Sequence, residues 1–234
     1  MKHSFTPMMR KKVLFLFLTL ITVLPLAAQS SRSYIKERMR SWGYCRNVAL
    51  TDTGGDVALN ARNQYAVSGV PRSLAETLDD LNDKGEFIDD VQLTEDGTWL
   101  VLYGDNGFWY SDIPDDLKRT LKRANNDGEI ITSVTFNDRD NWIVISTEHI
   151  WASSSKIYDF IQEGMEQYGN LWAAHLTDDG LVLVFERGYK QLGDVPRDLW
   201  DALDDTKLDV YRLKFTSGGA YFFADKNGYY ESYM

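Results

Sequence analysis

The chain has 234 residues, 35 acidic and 25 basic, for a formal charge of −10 at neutral pH. A surface of that sign repels nucleic acid and anionic membranes, so no nucleic-acid partner is expected. Cys45 is the only cysteine, which excludes an internal disulfide and any C-x-x-C metal or redox motif.

Residues 1–28 are expected to be a secretory signal peptide. The basic residues Lys2, Arg10, Lys11 and Lys12 precede an apolar run from Val13 to Ala28, broken by Pro25 near its end. The run is near the lower length limit for spanning a bilayer. Cleavage after Ala28 is therefore expected over retention as an anchor, followed by periplasmic or extracellular localisation without stable membrane insertion. No cysteine stands at the cut, so lipid attachment of the lipoprotein kind is not expected. Losing four basic residues and no acids takes the formal charge from −10 to −14. The mature chain, residues 29–234, reads as one repeat domain. A lone thiol such as Cys45, with no catalytic motif around it, is expected to be buried apolar filler.

After the signal, Ser31 to Trp42 predicts a helix with Ile35 and Met39 on one face. A pattern then recurs, with units over about 31–70, 71–113, 114–153, 154–194 and 195–234. The apolar residue before the first turn is Leu50, Leu93, Phe136, Leu176 and Phe215, in steps of 43, 43, 40 and 39. Pro71, Pro114 and Pro196 keep the same period, and Ser155 stands where the missing proline would fall. Each unit predicts a short strand, a tight turn such as Asp96-Gly97, and an apolar second strand such as Thr98–Tyr103. A polar second turn and an aromatic third strand follow, as in Phe108-Trp109-Tyr110. A helix then opens at proline, whose missing N–H needs no partner there. Leu74 and Leu78, Leu117 and Leu121, Ile157 and Ile161, and Leu199 and Leu203 line the helix faces.

The chain ends on an aromatic strand, Tyr229-Tyr230, with no helix after it. An open solenoid needs polar caps. The fold class expected is therefore mainly β with helices, five helix-plus-three-strand repeats of about 40 residues closed into a five-bladed propeller-like ring. An open curved repeat array is the alternative. The turn Thr94-Glu95-Asp96-Gly97-Thr98-Trp99 resembles the Asp-box turn of sialidase-type propellers, with one residue fewer between Asp96 and Gly97. That resemblance implies a hairpin in a propeller blade and no sialidase chemistry.

Chemistry-bearing motifs are absent from the sequence: no G-x-G-x-x-G, phosphate loop, G-x-S-x-G or H-E-x-x-H. With His149 and His175 the only histidines after the signal, no metal site and no cofactor are implied. His175 lies on a first strand, where other units have Ala49, Gln92, Thr135 and Lys214, and is expected to face solvent. Asp115, Asp116 and Asp198 stand at helix starts, where acids favour the helix dipole.

Positions that agree between units solve a shared folding problem, and positions that differ are free to carry function. The second turns differ, and outward aromatics of the third strands flank them. The candidate binding residues are Asp105, Asn106, Trp109, Glu148, His149, Trp151, Glu186, Arg187 and Tyr230, with no catalytic residue assigned. The function expected is a non-catalytic binding module for a protein or glycan. The alternatives are a hydrolase with one site among Glu148, His149, Glu186 and Arg187, and a structural envelope protein. Intact-mass measurement of exported protein is expected to give an N-terminus within a few residues of Gln29. Recovery of the full 26.9 kDa chain in the membrane fraction would oppose this.

Overall fold

The computed structural model describes residues 24–60 and 64–234, with side chains from Arg32 onward. The expected signal segment lies outside the described residues up to position 23. The first unit holds helix α1 (Leu24–Trp42) and strands β1 (Asn47–Leu50), β2 (Asp56–Leu59) and β3 (Tyr65–Ser68). The second has α2 (Arg72–Asp83), β4 (Ile88–Leu93), β5 (Trp99–Tyr103) and β6 (Gly107–Tyr110). The third has α3 (Asp115–Asn126), β7 (Ile131–Phe136), β8 (Trp142–Ser146) and β9 (Ile150–Ala152). The fourth has α4 (Ser155–Tyr168), β10 (Leu171–Leu176), β11 (Gly180–Phe185) and β12 (Gly188–Gly193). The fifth has α5 (Arg197–Asp205), β13 (Arg212–Phe215), β14 (Tyr221–Ala224) and β15 (Tyr230–Tyr233). Each unit's strands form a separate antiparallel sheet in chain order. None of the described helices is long and apolar enough to cross a membrane.

Turn chemistry sets the first hairpins. Leu50, Leu93, Phe136 and Phe215 pair across their turns with Asp56, Trp99, Trp142 and Tyr221. The fourth turn is one residue shorter, pairing Leu176 with Leu181, which accounts for one residue of the shortened repeat. The fourth residue after each marker takes a positive φ in the longer turns. Glycine supplies it at Gly54, Gly97 and Gly219, and Asp140 does so in the third unit, at φ 58°. Pro71, Pro114 and Pro196 occupy the cap just before their helices. In the third inter-unit junction the cap is Ser154, one residue before Ser155, and its side chain accepts from Ile157 N.

Each helix buries its apolar face in a wedge between two sheets. Leu74, Leu78 and Leu81 of α2 pack against Val57 and Leu59 of the first sheet and Val91, Trp99 and Val101 of the second. The same arrangement recurs around α3, α4 and α5. The second strands are buried on both faces because a wedge lies on each side of them. Val101 belongs to one wedge, and its neighbours Leu100 and Leu102 belong to the next. Third strands are the most open, and Trp109 is 50 % exposed.

Helix α1 fills the corresponding wedge between the first sheet and the last. Ile35 and Met39 pack with Val48, Ala58 and Ala66 on one side and with Phe222 and Ala224 on the other. Lys36 donates to the carbonyl of Met234 at 2.8 Å, across 198 residues of chain. The first strands also touch in succession: β1 against β4, β4 against β7, β7 against β10, β10 against β13, and β13 against β1. Ile35→Ala is expected to cost about 2–5 kcal/mol, as for a fully buried aliphatic side chain, and to lower one shared unfolding transition in urea. A two-step transition in which the first unit alone is lost would mean that the first and last sheets are independent.

Candidate functional site

Each first strand is paired with a second strand on one side only. Where the five first strands meet, their free edges would leave backbone groups buried without partners. Polar side chains answer that need. Arg46 donates to the carbonyls of Ile88 and Asp89, and Arg212 to that of Thr132 at 3.2 Å. Thr135 Oγ1 accepts from Leu176 N at 2.9 Å. Asp90 is the hub of the layer. It accepts from Asn47 Nδ2 at 2.8 Å and Lys214 Nζ at 3.0 Å, and Gln92 Nε2 lies 3.2 Å from its other oxygen. These donors come from three different units. The Lys214 and Asp90 side chains are 4 % and 1 % exposed. Burial pushes the Lys214 ammonium below its ordinary range, and Asp90 opposes that shift. A β-bulge at Asp89 lies beside the hub. Burial pushes Asp89 up to about 6, against the pull of Arg46 and Arg212.

The expectation that His175 faces solvent is corrected here. It is 7 % exposed, and Gln92, Thr135 and Lys214 at the equivalent positions are buried as well. Strand alternation predicts a polar outer face, but here that face meets other first strands rather than water. His175 Nε2 lies 2.9 Å from the Phe215 carbonyl. A carbonyl only accepts, so Nε2 carries the proton and Nδ1 is a bare acceptor. Nδ1 has no hydrogen-bond partner. Burial pushes the imidazole down to about 3, with Lys214 adding to the shift, so the ring is neutral.

The first turns gather at one end of these strands. Two residues past each apolar marker stand Asp52, Glu95, Asp138, Asp178 and Ser217. They tie neighbouring units together. Glu95 accepts from the backbone N–H of Asp52 at 2.6 Å, Asp178 from that of Asp138 at 3.0 Å, and Asp52 from that of Gly218 at 2.7 Å. Ser217 Oγ donates to Asp179 at 3.1 Å. Burial pushes the Asp138 carboxyl above its usual range, against the Thr94 hydroxyl and with nearby Asp96 adding to it. Inside this rim is a cavity of about 240 Å³. Its walls are the five apolar markers, its mouth carries Asp52, Glu95, Asp138, Asp178 and Asp179, and His175 forms part of its lining.

The sequence-predicted candidates lie at the opposite ends of the sheets, where a three-stranded meander puts its second turns. Asn106 donates to the Glu129 carbonyl at 2.8 Å and accepts from Ile131 N at 3.4 Å. His149 Nδ1 lies 2.7 Å from Glu129 Oε1, and its ring is 5.5 Å from that of Trp151. Glu129 thus brings Asn106 and His149 of adjacent units together. The Ser146 hydroxyl donates to the same carboxylate and, with His149, holds Glu129 below its ordinary range. Serine and imidazole both lean on Glu129, so the ring is not placed to take that hydroxyl's proton. Glu148 N donates to Ser146 Oγ at 3.2 Å. Glu186 and Arg187 donate backbone N–H groups to the carbonyls of Asn170 and Tyr168. Asp105 is exposed on its turn. Tyr230 stacks on Phe222 at 5.7 Å, beside the wedge around α1. Among the described residues no group of three or more His, Cys, Asp or Glu side chains is placed to hold a metal ion.

Sequence reasoning missed the first-turn acids and the buried polar layer. The recurrence of an acid at the same turn position in four units was the available signal. No protein-family model matches the chain, and a search of curated proteins finds no significant match.

The neutral imidazole has a consequence for acid stability. Below its ordinary value of 6.5 the unfolded chain takes up a proton that the folded ring refuses, down to about 3. The contribution of this group to stability therefore falls as pH drops through that window, by an amount on the order of 5 kcal/mol in total. In His175→Leu the loss of unfolding free energy between pH 7 and pH 4.5 is expected to shrink by about 2–3 kcal/mol, measured by urea denaturation. An equal loss in both proteins would mean that the ring ionises freely in the fold.

Proposed function

We propose that the five units close into a propeller-like ring and that the chain is an exported, non-catalytic module that binds a protein partner at the end where the first turns gather. The succession of first-strand contacts, with β13 against β1, supports closure. So do the packing of α1 between the first and last sheets and the bond from Gly218 N to Asp52. The basic-then-apolar N-terminal segment supports export. One observation carries the binding reading: all five units contribute side chains to a single cavity with apolar walls and a charged mouth. Loops on a rigid scaffold are where binding residues concentrate. The cavity volume, about 240 Å³, lies below the usual range of about 300–1,000 Å³ for small-molecule pockets. It suits one protruding side chain better than a whole metabolite.

A single-site blocking experiment tests this. Cys45 is buried, and burial pushes its thiol up to about 12, so a maleimide will label only an introduced cysteine. The mature protein is screened against peptide and glycan arrays, then rescreened with an adduct on Ser217→Cys or on Asp105→Cys. Saturable peptide binding is expected, lost with the Ser217→Cys adduct, kept with the Asp105→Cys adduct, and with the ligand recovered at unchanged mass. Cleaved ligand would point to a hydrolase. Binding of glycans alone, or loss only with the adduct at position 105, would remove the proposed partner or the proposed face.

A further inference from the structure

The chemistry of the cavity narrows its occupant. Five carboxylates stand at the mouth and no lysine or arginine lines it. Arg139 pairs with Asp179 at 3.2 Å from outside the lining. The rim bonds to backbone N–H groups orient the carboxylates but do not cancel their charge. The walls are Leu50, Leu93, Leu176 and the rings of Phe136 and Phe215, all less than a tenth exposed. Independently of the acids, His175 in the same lining has a buried ring nitrogen that can only accept and finds no donor. An unsatisfied buried acceptor carries a penalty that a donor reaching it would relieve. The lining therefore carries no positive charge and offers apolar and aromatic contact, and the donors of Thr94, Asn137, Thr177 and Ser217 in it are already given to acceptors of the protein.

From this complementarity we infer that the cavity receives an arginine side chain of the partner polypeptide, an inference that rests on the binding reading above. Arginine matches each feature. Its methylene stem suits the leucine walls, and its guanidinium is weakly hydrated, stacks on aromatic faces and presents five donors in a planar fork. Lysine matches the charge but is a compact, strongly hydrated ion that is harder to bring against such walls.

The mature protein is titrated by calorimetry with acetyl-Gly-Arg-Gly-amide, its citrulline and lysine counterparts, and agmatine. Citrulline keeps the shape and loses the charge. The arginine peptide is expected to bind at least about tenfold more tightly than the citrulline peptide. Asp178→Asn and Glu95→Gln keep a carbonyl acceptor for the neighbouring N–H groups, and each is expected to weaken arginine binding about tenfold. Affinity of the wild type should fall as salt rises, a readout that does not depend on how well the variants fold. Equal binding of citrulline and arginine peptides would overturn the inference, and so would wild-type affinity in folded rim variants. Agmatine binding as tightly as the peptide would overturn the assignment to a polypeptide. If array peptides bind and the Ser217→Cys adduct blocks them while arginine peptides do not bind, this inference falls and the binding module stands. If the arrays also yield nothing at this face, both fall.

Discussion

The free inner edges of the five first strands govern how the units can pack. A strand paired on one side only leaves a row of backbone donors and acceptors on the other, and natural proteins cover such edges or keep them in water. Here the edges are turned toward one another and buried. Helices in the wedges supply the apolar burial that holds the sheets together, but they cannot satisfy those inner groups. Arg46, Thr135, His175 and Arg212 do so, with side chains that cross from one unit to another, and Asn47, Asp90 and Lys214 bond one another across three units in the same layer. A lone buried ammonium at Lys214 would be strongly unfavourable. Asp90 makes it tolerable, and Asn47 and Gln92 complete the carboxylate's own hydrogen bonding.

The division of labour between the two ends of the sheets follows from this packing. At the first-turn end the acids of successive turns clasp their neighbours' backbone and leave a cavity with a negative mouth. At the second-turn end the turns are tied back to the loops that follow the helices, as Asn106 and His149 are tied to Glu129. Turns that brace the scaffold there are less free to rearrange around a ligand. The clasping acids have two consequences at once, since a carboxylate bonded to a neutral N–H stabilises the junction between units and keeps its charge.

Periodicity made much of the fold legible. Helix leucines four apart, glycines at hairpin turns and apolar second strands each have a local cause, and a repeated local cause can be read from one chain. Burial of Trp99 and Trp142 and exposure of Trp109 follow from the same alternation. The first turns recur with an acid at the same position in four units, and the clasps at Asp52, Glu95 and Asp178 give those acids a structural role.

Which faces look at water depends on how the units pack together. Ala49, Gln92, Thr135, His175 and Lys214 alternate with apolar residues, a pattern that by itself predicts a solvated face. They are buried because the strands carrying them lie against first strands of other units, and a meeting such as that of Lys214 with Asp90, 124 residues apart, leaves no local trace. The partnership of Lys214 with Asp90 and the exposed or buried state of His175 depend on that meeting. The same holds for the convergence of five acids: local pattern specifies the unit, its turns and its helix faces, while the assembly of the units creates the cavity.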